Sequence, residues 1–234
     1  MKIAFCLSGY TGAVSRIPNA TVENNTSSEG YKKQLSTLKS LDLDVAYELF
    51  QKNVIQDYDV DTFIHSWSVD KKDDILKKYK PKDYIIEPQR GKEDGILDNI
   101  YSVWYSRKKV LELAFNSKVK YDWFLLTRFD LGFYFPLLFD TYDNRNVILA
   151  GEGRSIEVND VYFLTNRENM KVISKMFDSL KNFGYRTDSK HGSHPGGVHH
   201  TVGLYIRRNC SGELVYEGSD RGGNPTIKLI RTTN

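Results

Sequence analysis

The chain has 234 residues, 40% hydrophobic and 13% aromatic, enough to bury one substantial core. With 33 lysines and arginines against 30 acidic residues the formal charge is only +3 and no basic stripe stands out, which argues against a nucleic-acid partner. No 18-residue apolar run occurs and the opening run Ile3 to Leu7 is too short for a signal segment, so the sequence predicts a cytoplasmic protein (host cytoplasm if viral) with no transmembrane segment.

In chain order, Lys2 to Leu7 reads as a first strand that breaks at Ser8-Gly9-Tyr10-Thr11-Gly12, residues that permit a tight bend. Residues 18 to 30, polar and without an apolar period, read as a loop over the carboxyl end of that strand, either a lid or plain surface chain. From Tyr31 to about Ile55, Leu35, Leu38, Leu49 and Phe50 recur at helical spacing, interrupted near Asp42 and Asp44. Val60 to Trp67 gives a second strand, Asp70 caps a short charged helix through Tyr79, and Pro81 ends it before a third strand at Tyr84 to Ile86. The order β, α, β, α, β belongs to a layered α/β sheet, mostly parallel with helices on both faces, in a single domain.

The longest helix is expected from Asn99 to Ser117, with Ile100, Val103, Trp104, Val110, Leu111 and Ala114 on one stripe and Arg107 on that same stripe. An isolated buried guanidinium is too costly, so Arg107 must meet a carboxylate, carbonyls or a ligand phosphate. Next, Tyr121-Asp-Trp-Phe-Leu-Leu-Thr-Arg-Phe-Asp130 is an uninterrupted apolar run delivering two charges at its far end. A run apolar on both faces fits a central parallel strand, and side chains two apart point the same way. Arg128 and Asp130 should therefore project together beyond the carboxyl end of the sheet, where open α/β sheets bind ligands; the alternative is a local ion pair closing the strand.

Val147 to Ala150 and Val161 to Leu164 read as further short strands. Thr165-Asn166-Arg167-Glu168 has the spacing of a capping box, opening a helix with Ile173, Met176, Phe177 and Leu180 inside and an end at Phe183-Gly184. A loop rich in His, Gly and Ser then runs to His200, followed by an amphipathic element from Val202 to Ile206 and a β-like tail from Glu213 to Ile230. Cys6 and Cys210 have no metal-type spacing and read as reduced and structural.

Several residues are candidates for chemistry. Ser8 and Gly9 end the first strand, where small residues can accept a base or ribose. His65 can bond a phosphate or sugar hydroxyl and Trp67 can stack on a ring, the alternative for His65 being a histidine satisfied by a backbone group at the sheet end. His191, His194, His199 and His200 cluster in the Gly-rich segment; one of them with Asp130 would suffice to hold manganese or magnesium on a diphosphate. Asp160 can take a proton from a hydroxyl nucleophile, or is a turn aspartate. No G-x-x-x-x-G-K or G-x-G-x-x-G loop occurs.

The blocks Ile3-Ala-Phe-Cys-Leu-Ser-Gly9, Asp61-Thr-Phe-Ile-His-Ser-Trp67, Tyr101-Ser-Val-Trp-Tyr-Ser-Arg-Lys108, Tyr121 to Asp130 and Asn159-Asp-Val-Tyr-Phe163 together resemble a family of small sugar transferases. These occur in bacterial surface-polysaccharide clusters and large DNA viruses and have the GT-A type of fold. The resemblance implies a glycosyltransferase (a hexosyl- or pentosyl-transferase) moving a sugar from a nucleoside-diphosphate donor to a hydroxyl of a glycan acceptor in polysaccharide biosynthesis. It implies a nucleotide-binding half over 1–120 and a metal and acceptor half over 121–234. Ser8, Gly9, His65, Trp67, Arg107 and Arg128 would bind the donor. Asp130, with His194 or His199, would hold Mn2+ or Mg2+, and Asp160 and Arg128 would be catalytic. Where the family's Asp-x-Asp is expected, this chain has Arg128-Phe129-Asp130, so a protein cation can replace part of the metal's work. The rival readings are a nucleotidyltransferase making an activated sugar and a non-catalytic carbohydrate-binding domain.

Overall fold

The computed structural model describes residues 1–11, 43–89, 99–150, 158–180, 197–217 and 227–229. In chain order these form β1 (Lys2–Gly9), α1 (Leu43–Phe50, continued by a π-helical turn over Gln51–Ile55), β2 (Asp59–Ser66), α2 (Lys72–Tyr79), β3 (Asp83–Ile86) and α3 (Asn99–Asn116). There follow β4 (Trp123–Arg128), β5 (Leu131–Phe133), β6 (Val147–Ala150), β7 (Asn159–Thr165), α4 (Arg167–Ser174), α5 (Met176–Ser179), α6 (Gly197–Asn209), β8 (Leu214–Glu217) and β9 (Ile227–Leu229).

Seven strands make one sheet in the order β3-β2-β1-β4-β7-β6-β8, and β5 and β9 make a separate antiparallel pair. Every neighbouring pair in the large sheet is parallel except those involving β7, which is antiparallel to β4 and to β6. β7 therefore begins at the edge where β1, β2, β4 and β6 end. The result is the mostly parallel α/β sheet expected from the sequence.

The two-residue period of each strand sorts its side chains between two cores. Ile3, Phe5, Leu7, Ile64, Trp123 and Leu125 face α1 and α2, whereas Ala4, Cys6, Phe63, Phe124 and Leu126 face α3 to α6. Both faces are thus dry, which explains why β1 and β4 read as unbroken apolar runs. Each fully buried Phe or Leu of these strands contributes roughly 1.5–3 kcal/mol of transfer free energy.

The alternation breaks in β7. Leu149 of β6 pairs with Phe163 but the next residue, Ala150, pairs with Asn159. Through this bulge Val161 and Tyr162 both pack on the α1–α2 side, and Asp160 is turned to the α3 side, where it meets Arg107. Re-aiming a side chain in this way is a characteristic use of β-bulges.

Several local expectations are corrected. Val103 is exposed, while Ser102, Ser106 and Tyr105 join the inner face of α3. Neither Asp70 nor its neighbours cap α2 through a side chain; a 3-10 turn over Val69–Lys71 precedes it, and Lys80 ends it in the left-handed region ahead of Pro81. The side-chain cap of α4 comes from Asn166, which accepts from the Asn169 N–H at 2.9 Å, rather than from Thr165. Asp160 lies inside β7, and β5 was not anticipated. His199 and His200 belong to α6, a thirteen-residue helix longer than the Val202–Ile206 element expected there. The polar loop at 18–30 and the helix end at Phe183-Gly184 lie outside the described residues, as do His191 and His194. No helix among the described residues is long and apolar enough to cross a membrane.

Candidate active site

The carboxyl edge of the sheet gathers Ser8 and Gly9 from β1, Arg128 from β4, Asp130 from the turn after it and Asp160 from the start of β7. Beneath them α3 supplies Arg107, and α6 supplies His199.

Arg107 is 3% exposed, and its Nη1 donates to Asp160 Oδ2 at 2.7 Å while Nη2 donates to the Asp160 carbonyl. The guanidinium lies 4.4 Å from the centroid of the Trp104 ring and 5.7 Å from that of Phe163, two rings that touch each other at 6.0 Å. Burial pulls the Arg107 pKa down, against Asp160, which holds the charge. Burial likewise pushes the Asp160 carboxyl up, but Arg107 together with His199 and Arg128 outweighs it and leaves it below its ordinary value. Of the partners open to Arg107, the structure supplies a protein carboxylate. The Arg107 side chain is 3% exposed, and both of its terminal nitrogens are taken by Asp160. A carboxylate held ionised by a buried guanidinium is also a poor proton acceptor.

Arg128 and Asp130 form the second pair. Nε donates to Asp130 Oδ1 at 2.7 Å and Nη2 to Oδ2 at 2.5 Å, a fork on both carboxylate oxygens. β4 ends at Arg128, so Asp130 sits in the turn that leads into β5, with Phe129 buried on the opposite side. The Arg128 side chain is 36% exposed, and its Nη1 has no partner among the described residues. The pair is a local ion pair at the end of β4, with the Arg128 side chain partly exposed.

Gly9 has a φ of +106°, a conformation that side-chain-bearing residues rarely adopt, and among the described residues no atom lies within 4 Å of where a Cβ would stand. The Ser8 hydroxyl, by contrast, is buried and donates to the Thr127 carbonyl at 3.2 Å.

His65 and Trp67 are placed inside the protein rather than at its edge. His65 is fully buried, with Nδ1 2.7 Å from Ser106 Oγ and Nε2 3.2 Å from Glu87 Oε1. Burial lowers its pKa to about 4 even though Glu87 opposes the shift. Trp67 stacks on Tyr105 at 5.5 Å and meets the His65 ring edge-on at 4.6 Å. In the structure the stacking partner of Trp67 is Tyr105. Ser106 and Glu87 were not anticipated; the only hint was that Ser106 lies one residue before Arg107 on a helix whose inner face is polar at that level.

His199 is the histidine at the edge. Its Nδ1 lies 3.1 Å from the Val158 carbonyl and 3.4 Å from Asp160 Oδ1, and its side chain is 55% exposed. The Val158 N–H donates back to the His199 carbonyl at 3.2 Å, which docks the first turn of α6 onto the entry to β7.

A divalent ion of the manganese or magnesium class needs free carboxylate oxygens. Among the described residues no three His, Cys, Asp or Glu side chains converge. Both oxygens of Asp130 lie in the Arg128 fork, and Asp160 is taken by Arg107. The donor set of Asp130 and His199 therefore does not fit a preformed metal cage, and His194 lies outside the described residues.

No family model matches the chain, and no curated protein matches it. Solved structures similar to it include a glycosyltransferase involved in the glycosylation of the major capsid of PBCV-1, at 12% identity and a TM-score of 0.46, covering 93% of this chain and 82% of that one. The glycosyltransferase GlyE of Streptococcus pneumoniae TIGR4 is similar at 13% identity and 0.44, over 94% of this chain and 45% of that one; its apo form gives 13% and 0.44. This chain spans under half the length of GlyE. Likeness at that level leaves the chemistry to be argued from the side chains.

Proposed function

We propose that this chain is a glycosyltransferase that moves a sugar from a nucleoside-diphosphate donor to a hydroxyl of a glycan acceptor. The observation that carries the reading is the Arg128 guanidinium: it is fixed by Asp130 through two of its nitrogens, and it presents Nη1 at the ligand-binding edge of the sheet. A planar guanidinium already oriented by a carboxylate is suited to a diphosphate, whose charge grows as the sugar leaves. The absence of described atoms around Gly9, the position of β1 beside β4 in the sheet and the block-by-block resemblance of the sequence support placing the nucleoside at the end of β1.

On this reading Asp130 orients Arg128 and the buried Arg107–Asp160 pair holds β7 against α3, so that the edge keeps its shape while the donor binds. Leaving-group charge is met by Arg128, and an ion on Asp130 would have to displace that guanidinium. The test is a thermal-shift panel of UDP-, GDP-, dTDP- and CMP-sugars, with and without manganese, followed by assay of nucleotide release. A ligand at 100 times its Kd stabilises by about 2.7 kcal/mol. A nucleotide-sugar that shifts the melt and is turned over supports transfer; binding without turnover supports a non-catalytic domain, and turnover only with pyrophosphate supports a nucleotidyltransferase.

A further inference from the structure

We propose that His199, rather than Asp160, is the proton acceptor for the incoming hydroxyl, with Asp160 and Arg107 as positioning residues behind it. The inference rests on the transferase reading and deepens it. Its basis is the way one ring is pinned on one side and open on the other. Nδ1 faces two acceptors, the Val158 carbonyl at 3.1 Å and Asp160 Oδ1 at 3.4 Å, so this nitrogen carries the proton. That leaves Nε2 as the unprotonated nitrogen, and among the described residues it has no partner. The side chain is more than half exposed at the edge where Arg128 opens.

Asp160 itself is poorly placed for the task. Its Oδ2 is bonded to Arg107, a side chain only 3% exposed, and its Oδ1 faces His199. A carboxylate in that position does what an orienting aspartate does for an imidazole: it fixes the tautomer and favours the imidazolium that forms. Arg107 in turn fixes the carboxylate. The chain of contacts runs from α3 through β7 to α6, and its last member is the one that reaches solvent. The charged groups facing the ring are Asp160 from β7, with Arg107 from α3 and Arg128 from β4 acting on that carboxylate.

In the step, the Nε2 lone pair takes the proton of the acceptor hydroxyl as the hydroxyl oxygen's electron pair forms the bond to the anomeric carbon. The bond from that carbon to the diphosphate oxygen breaks, and its electron pair leaves on the diphosphate, facing Arg128. The imidazolium then returns its proton to water. This is a single displacement, and the anomeric centre inverts.

The test follows nucleoside-diphosphate release from UDP-, GDP- and dTDP-sugars with water as acceptor, across pH, in the native chain, His199→Asn and His199→Ala. His199→Asn keeps an N–H for the Val158 carbonyl and Asp160 but has no basic nitrogen. Expected are an unchanged melting temperature and donor affinity, a kcat lower by at least about 100-fold, within the range a positioned base supplies, loss of the acid limb of the native pH profile, and partial recovery of His199→Ala by added imidazole. A kcat within threefold of native, or a fall in kcat that leaves the acid limb in place and is not restored by imidazole, overturns the role of His199 while leaving the transferase reading intact. A native chain that binds and turns over no nucleotide-sugar overturns the transferase reading, and this role with it.

Discussion

Two arginine–aspartate pairs lie near the same sheet edge, and they are built in opposite ways. Arg107 and Asp160 come from a helix and a strand 53 residues apart, are almost wholly buried and are joined through both terminal guanidinium nitrogens. Arg128 and Asp130 are two residues apart, sit across the end of a strand and leave a guanidinium nitrogen facing outward. The difference teaches which pair can do what. A buried pair costs heavy desolvation and is strongly destabilising when only one partner remains, so its use lies in fixing geometry. An exposed pair contributes little to folding, so its spare valence is available to a ligand.

The largest effect that tests this contrast is on stability. Arg107→Met should destabilise the protein by about 3–5 kcal/mol in urea titration, because Asp160 is left as an unpaired buried charge. Arg107→Met combined with Asp160→Leu should recover most of that loss; a double variant as unstable as the single one would mean the cost lies in packing against Trp104 instead.

A fully buried neutral group sharpens the comparison through pH. His65 has a folded pKa of about 4 against an ordinary 6.5, so the unfolded chain binds the proton first. Stability attributable to His65 is therefore complete above about pH 6.5 and falls as pH drops towards 4, by up to about 1.4 kcal/mol per pH unit. Denaturation at pH 7, 5.5 and 4.5 should show that slope in the native chain and a smaller one in His65→Asn. Asp160, whose carboxyl is depressed, supports the fold in the same direction but in a lower window, its contribution being lost as pH falls below 3.8.

The open pair should show the reverse balance. Arg128→Ala should weaken nucleotide-sugar binding by about 10- to 100-fold in calorimetry, the loss of one or two charge-assisted bonds, while changing folding stability by under about 1 kcal/mol. Equal losses in both measurements would erase the distinction between the pairs. The smallest expected effect is that of a chelator: with Arg128 in place, EDTA should change turnover by less than about twofold, whereas in Arg128→Ala the freed Asp130 should make turnover respond to added manganese.

The sequence carried the sheet well because its signals are local. Apolar runs such as Lys2 to Leu7 and Trp123 to Thr127 are long enough to state a buried strand, and two-residue spacing suffices to pair Arg128 with Asp130. It also flagged that Arg107 needed a counter-charge, because a lone guanidinium on an apolar stripe is physically untenable. What it could not give was the identity of the partner: that depends on the β6–β7 bulge, a register shift no residue pattern near Asp160 announces. The surroundings of His65 and His199 also come from elements distant in the chain. His65 ends an apolar strand and looked like an edge residue until α3 covered it with Ser106 and Tyr105. His199 follows glycines and looked like loop until α6 was seen to begin at Gly197.

The pairing of β5 with β9 has a consequence for the order of assembly. Leu131 to Phe133, directly after Asp130, find their strand partners among the described residues in Ile227 to Leu229, nearly a hundred residues later. During synthesis the first four strands of the sheet can associate long before that late strand emerges, and loop closure over such a distance is slow. The turn that aims Asp130 should thus be the last part of the edge to set, so that a nascent or tail-clipped chain is folded in its core yet blunt at its working end.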